Sequence, residues 1–445
     1  MIQKYITHYR ALASLGIPIV IGNIGNVVLN FADTLMIGHY GMKELAAASF
    51  VNTLFLLLVI FAVGFSMGLT PIVGSLYGRG DKDRIGGVVR AGIVANALLA
   101  VILTTVCTAF YFTFHLLGQP DELLPLMRPY LLVNIVSLPF LCLGNVFRQF
   151  FDAIGETRLS MTAMIASNIT NIIGNYLLIF GKCGLPELGL LGAGISTTFS
   201  RMLILIIFVC VFFACKKYSL YAAGLRGSRT DRGVFRKLNA LGWPSALQVG
   251  METAAFSFTA IFVGWIGTTA LAAHQVMLTI SGLFYMVYLG FAVAVAVRVS
   301  HFNGQRDRES VITTTWAGFH LILLIAAVVS VPVFLLRHEI GGWFTDDAGV
   351  SVVVAQCIVP LIVYQFGDGL QCTFANALRG LACMRPLMYA AFVAYFIVSL
   401  PLSWLLGIAL GFGLPGIWAA FPVCLMVAGL LYWAIFNRRI QSVGK

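Results

Sequence analysis

Three acidic side chains lie inside long apolar runs. They are Asp33, Glu252 and Asp368; the other 14 of the 17 acidic residues map to loops or helix ends. A charge at the centre of a bilayer costs about 2.5–3.5 kcal/mol on insertion scales, so such residues usually face a cavity and mark ion or proton pathways. Asn23, Asn26, Asn30 and Asp33 step by three, four and three, which puts them on one helical stripe. Asn168, Asn171 and Asn175 repeat that spacing, and Ser196, Thr197 and Thr198 follow in the next apolar run. One carboxylate among amide and hydroxyl oxygens suits a hard monovalent cation or a proton; asparagines gluing helices together is the structural alternative. Further along, Glu252 follows Pro244 by eight residues, and Tyr364 and Asp368 are one helical turn apart. With Phe256, Phe284 and Tyr285, this set suits a hydrophobic cation, through charge and cation–π contact. Two close carboxylates in a poorly hydrated site are not both ionised cheaply, so the pair is expected to hold a proton or a metal cation. Arg201 is expected to be the one basic residue deep in an apolar run, and His274 to be an interfacial polar residue near a helix start.

The elements that must position these groups are transmembrane helices. The 445 residues are 60% apolar and 10% charged, with a mean hydropathy of +0.93. Soluble domains carry about 25% charged residues. Runs such as LFLLLVIFAVGF and MLILIIFVCVFF exclude the short alternating segments of a β-barrel. Twelve spans are predicted, near 11–37, 46–75, 86–114, 125–148, 159–181, 189–215, 236–265, 270–300, 311–335, 350–377, 387–410 and 414–437. The first run contains Pro18 and a polar stripe, so no cleavable signal peptide is expected. The nine cysteines form no CxxC pair and read as small buried hydrophobes.

The net charge of +11 has a topological reading. With both termini in the cytoplasm, 23 of the 28 basic residues fall on the cytoplasmic side, four outside (Lys43, Arg128, Lys182, Arg337), and Arg201 within a span. That is the positive-inside pattern, and nucleic acid is not an expected partner.

The chain also repeats itself with a shift of 226 residues. Leu15-Gly16-Ile17-Pro18 recurs as Leu241-Gly242-Trp243-Pro244, Gly64-Phe65 as Gly290-Phe291, and Gly78 with Asp81 as Gly304 with Asp307. The expected architecture is an all-α membrane protein, two six-helix lobes in parallel orientation related by a pseudo-two-fold axis. The lobes are 1–215 and 238–445, joined by a basic cytoplasmic linker, 216–237. Such repeats are a transporter architecture with its substrate site near the midplane. Pro18 and Pro244 each remove a backbone hydrogen bond and are expected to kink the first helix of each lobe.

No GxxxxGK[ST] loop is present, so ATP hydrolysis on this chain is not expected. Phe366-Gly367-Asp368 has a faint likeness to an intramembrane aspartyl protease motif, but position 365 is Gln and no Tyr-Asp partner exists; no enzyme is expected.

Taken together, Asp33-Thr34-Leu35-Met36-Ile37-Gly38-His39, Pro71 to Gly78, Ala272-Ala273-His274-Gln275-Val276 and Ala377-Leu378-Arg379-Gly380 resemble the multidrug and toxic compound extrusion (MATE) family over essentially the whole chain. The acids on the seventh and tenth spans resemble the NorM-type branch. The resemblance implies that Glu252, Tyr364, Asp368 and Gln275 match a second-lobe cation and drug region, with Tyr285 a further drug contact. Asp33, Asn171, Asn175 and Thr197 match a first-lobe cation site; some relatives carry a second acid where Asn175 stands. The implied function is export of amphipathic, often cationic, compounds across the bacterial inner membrane by antiport with sodium or protons. No cofactor and no metal beyond transient sodium are implied; the partners are drugs, organic cations and membrane lipid, and the expected state is a monomer. A lipid-linked oligosaccharide flippase of the same superfamily is the alternative. It would need a basic cavity for a diphosphate, where this chain is read as offering acids.

Overall fold

The computed structural model describes residues 2–113, 120, 122–227 and 231–441. Position 114 of the third expected span and positions 228–230 of the expected linker lie outside the described residues. Among the described residues fifteen α-helices follow one another: α1 Ile2–Tyr40, α2 Met42–Ser66, α3 Leu69–Arg79, α4 Lys82–Thr113, α5 Leu124–Ala153, α6 Thr157–Ile179, α7 Gly189–Ala214, α8 Ser219–Gly227, α9 Arg232–Ile266, α10 Thr268–Gln305, α11 Arg308–Leu335, α12 Ala348–Gly380, α13 Met384–Phe392, α14 Leu400–Trp404 and α15 Gly413–Ile440. π-helical turns at 393–399 and 405–409 join and extend α13 and α14 into one span.

Eleven spans among the described residues are long and apolar enough to cross a membrane. The remaining expected span, 159–181, is α6, whose 23 residues reach about 34 Å. It is less apolar because Asn168, Asn171 and Asn175 line one of its faces. The outward surface is what lipid requires. On α11, Leu324, Val328, Val331 and Leu335 step by four, three and four and are 59–71% exposed. A stripe like this in water would be a large unfavourable apolar patch; in a bilayer it is solvated.

Close packing divides the chain into two compact units, Met1–Val20 with Leu247–Lys445, and Ile21–Ala246. Each division lies inside a helix. α1 and α9 run on through Pro18 and Pro244, and each boundary falls just after the second residue beyond its proline. In the first unit α12 packs chiefly against α15 and α10, around Trp418, Phe374 and Phe436. In the second, α5 packs against α7, α4 and α2, with Phe150, Phe151, Phe208 and Phe212 in edge-on and tilted contacts.

The repeat is visible atom by atom. A Cβ placed on Gly16 would lie 2.9 Å from Phe291 Cδ1, and one on Gly242 would lie 2.8 Å from Phe65 Cδ2. Gly290 meets Val20 as Gly64 meets Ala246. Both members of each pair are shifted by 226. Each repeat's first helix therefore lays its opening turns against the second long helix of the other repeat, and glycine permits the approach at both places.

Of the expected linker, Ser219–Gly227 forms α8, which lies on α4: a Cβ on Gly86 would collide with the Tyr221 carbonyl, and Arg90 donates to the Leu225 carbonyl at 3.3 Å. Lys217 pairs with Glu156, and that hydrogen bond raises its affinity for its proton; burial pushes the Tyr221 phenol up to about 12.

Candidate functional site

The unit Ile21–Ala246 contains a cavity of about 560 Å³ lined from α1, α2, α5, α6 and α7. Asp33 is on its wall, partly exposed. Asn175 Nδ2 donates to Asp33 Oδ1 at 2.5 Å. The Asn171 amide satisfies its neighbours when Nδ2 faces Asp33 Oδ1 at 3.1 Å and Oδ1 accepts from Thr197 Oγ1 at 3.2 Å. Asn171 and Asn175 are both fully buried, so α6 holds these amides in place and the carboxylate meets a preorganised donor pair. Asp33, Asn171, Asn175 and Thr197 thus form one network. Ser196 and Thr198 do not join it: they bond the Asn171 and Val133 backbone carbonyls and tie helices together. Asn26 accepts from Asn168 at 3.3 Å, and Asn30 is exposed.

Arg201 also lines this cavity, donating to Ser137 Oγ and standing 5.1 Å over the Phe55 ring. Arg148, read from sequence as cytoplasmic, lines it too, because α5 runs on to Ala153. Its Nε lies 3.7 Å from Asp152 Oδ2, and Nη2 donates to Asn23 at 3.5 Å. Asp152 is 3% exposed, so it is a fourth acid withdrawn from water. The expectation that this chain offers acids and not a basic cavity is therefore corrected for this unit, which holds Arg201, read from sequence within its span, and Arg148, hidden by an underestimated helix end.

In the unit of Met1–Val20 and Leu247–Lys445, the charges of Glu252 and Asp368 act on each other and on Tyr364 and Tyr285. Asp368 is 1% exposed. Among the described residues its Oδ1 accepts only from a thiol, Cys372 Sγ at 3.6 Å, and Oδ2 has no partner. Tyr364 is buried edge-on to Trp418 and Phe421, with ring centroids 6.0 and 6.3 Å away. Phe256 lies tilted against Phe421, with ring centroids 5.0 Å apart. Gln275 stands apart. It is exposed, and ten residues along α10 place it about 15 Å from Tyr285.

Glu252, by contrast, is well supplied. Gln248 Nε2 donates to Glu252 Oε2 at 3.2 Å, and the Tyr395 hydroxyl and the Gln371 amide also bond it. Gln248 Oε1 in turn accepts from Arg379 Nη2. Arg379 is buried on α12 and its charge reaches Glu252, which corrects the reading that Arg201 is the one deep basic residue. The error arose because α12 extends past the span's predicted end at 377, so Arg379 was assigned to a cytoplasmic loop. Gln248, one helical turn before Glu252, was a signal the spacing offered. Arg379 had none, since an arginine at a span end normally marks orientation. His274, near the start of α10, is 1% exposed, and Trp418 Nε1 donates to its Nδ1 at 3.2 Å. Of the cysteines, Cys183, Cys210 and Cys215 are exposed, against the expectation of burial.

A polar cavity in one half and a buried acid pair in the other, each inside a repeat of lipid-facing helices, define a membrane transporter and not an enzyme. The MatE family model matches residues 18–177 and 244–405, more than half of the chain, and the chain belongs to that family. It is 27% identical over 438 residues to the probable multidrug resistance protein NorM of Photorhabdus laumondii, covering 98% of this chain and 96% of that one. It is 28% identical over 440 residues to the multidrug resistance protein NorM of Photobacterium profundum, covering 96% and 95%. In fold it is similar to the Vibrio cholerae MATE transporter VcmN, with a TM-score of 0.90, 16% identity, and 99% and 98% of the two chains covered.

Proposed function

We propose that this protein is a secondary active multidrug exporter of the bacterial cytoplasmic membrane. It acts as a monomer with both termini in the cytoplasm and expels amphipathic, often cationic, organic compounds in exchange for sodium or protons. The observation that carries this reading is Asp368, a buried acid with no hydrogen-bond donor better than a thiol. A carboxylate left this way is costly, so a cation must visit it. A coupling ion and a cationic drug serve that need equally, and one carboxylate cannot take both. Mutual exclusion at one charge is what an exchanger requires, because the two ligands are then reciprocally linked. Tyr364 and Tyr285 supply aromatic faces for the organic cation. The Asp33 network, with amide donors and few aromatic groups, suits a proton or small cation. The names of the NorM relatives support the substrate class. The test is efflux of a fluorescent organic cation from proteoliposomes with sodium and proton gradients imposed separately. Efflux driven by one or both is expected; efflux that ignores both overturns the reading.

A further inference from the structure

The two acids Glu252 and Asp368 are neighbours, yet their surroundings are opposite. Glu252 accepts from Gln248 Nε2, and Gln248 Oε1 accepts from the buried Arg379. The order of atoms matters. A guanidinium has only donors, so the amide must turn its oxygen to Arg379 and its nitrogen to the carboxylate. That nitrogen then needs an acceptor on Glu252; either form of the carboxyl offers one, and the ionised form accepts it more strongly. Gln248 is fully buried, so the amide has no water to turn towards. Arg379 is braced on its other side by Asn376 Oδ1 at 3.2 Å. Asp368 has none of this. Arg379 lies 11 residues further along α12, about 16 Å away, and the charge that acts on Asp368 is that of Glu252.

We propose that Arg379, acting through the Gln248 amide, is a built-in countercation for Glu252, so that Asp368 alone of the two acids exchanges its compensating ion. Arg379 is a positioning residue here; it touches neither ion nor drug. The consequence is that the pair carries one exchangeable charge and not two. Glu252 stays ionised throughout, and its fixed negative charge makes a second one on Asp368 dear, which keeps Asp368 ready to take a cation. The groups facing Glu252 are Gln248 on α9, Tyr285 on α10, Tyr364, Asp368, Gln371, Cys372 and Arg379 on α12, Tyr395 in the π turn, and Tyr432 and Cys424 on α15. Arg379 is the basic member of that set.

This inference rests on the export reading for the meaning of the site, so its test uses no drug and no gradient. The carbonyl stretch of protonated carboxyl groups is recorded by infrared spectroscopy on the purified full chain in nanodiscs, in sodium-free buffer at neutral pH. Asp368→Asn is expected to remove intensity from that band, and Glu252→Gln added to Asp368→Asn to remove no more. Arg379→Gln is expected to add a new protonated-carboxyl band, absent from Arg379→Gln combined with Glu252→Gln and absent from Arg379→Lys. If Arg379→Gln does not fold, Gln248→Met cuts the relay with the arginine in place and is expected to add the same band. Further intensity lost when Glu252→Gln is added to Asp368→Asn, or no new band in either relay variant, overturns the proposal. Failure of efflux in proteoliposomes with these bands as expected would instead overturn the export reading alone.

Discussion

A carboxylate among membrane helices persists only if its charge is answered, and the acids of this chain are answered differently. Asp33 has two amides and a hydroxyl behind them, Glu252 has an amide wired to a guanidinium, and Asp368 has a thiol. Neutralising Asp33 removes the acceptor at the head of the Asn175–Asn171–Thr197 network but no aromatic contact. Asp33→Asn is expected to leave equilibrium drug binding within a few fold while abolishing gradient-driven efflux; collapsed binding with intact ion dependence reverses the assignment. For Asp368 the sign is set by competition. Protons and a cationic drug compensate the same charge, so drug affinity is expected to rise with pH, by up to about tenfold per pH unit for a one-proton exchange. Asp368→Asn flattens that slope, and Glu252→Gln, whose charge is answered by Arg379, flattens it less. Binding titrations against pH and sodium check this. A wild-type affinity indifferent to both ends the competition mechanism.

At the scale of elements, the contacts that hold each repeat's first helix are glycine contacts made twice. A Cβ on Gly64 would sit 2.8 Å from the Ala246 Cα, a backbone atom that cannot swing aside. Gly64→Ala and its repeat mate Gly290→Ala are each expected to destabilise by about 1–3 kcal/mol, the usual cost of overpacking. Gly264 has nothing within 4 Å of its would-be Cβ, so Gly264→Ala is the control and raises the thermal midpoint or leaves it unchanged. The same doubling appears at two helix ends. Gly80 closes α3 at φ 83°, and 226 residues on Arg306 closes α10 at φ 58°. A side chain there is strained, so Arg306→Gly is expected to raise the melting midpoint and leave drug affinity unchanged. A tenfold loss of affinity would show that Arg306 reaches substrate. The sequence made these elements legible because membrane helices announce themselves by length and apolarity, and the repeat by a constant offset. Asp33, Asn171, Asn175 and Thr197 were legible as a set because helical spacing put them on facing stripes. Arg148 and Arg379 were not, since a guanidinium at a helix end can equally point to cytoplasm or turn back onto a buried amide, and spacing does not distinguish the two.

For the molecule as a whole, the charge asymmetry predicts a side of the membrane for every connection, and the chain carries its own reporters. Cys183 is exposed in the loop between α6 and α7, beside Lys182, on the side that holds few basic residues. Cys215 is exposed after α7, beside Lys216 and Lys217, where the basic stretch begins. One helix, α7, separates the two. Cys210 is exposed as well, but it lies within that helix, where the exposed face meets lipid and is out of reach of a water-soluble reagent. Burial removes Cys107, Cys142, Cys357, Cys372 and Cys424 from reach. The positive-inside pattern predicts a cytoplasmic 216–237 connection. A membrane-impermeant maleimide applied to intact spheroplasts is therefore expected to label Cys183 and spare Cys215, with the signal lost in Cys183→Ser. Opening the membrane should add Cys215 and leave Cys183 labelled as before. Labelling of intact spheroplasts that survives Cys183→Ser and disappears in Cys215→Ser would put the basic linker outside. That result would invert the orientation and, with it, the direction in which a drug bound at Asp368 is carried.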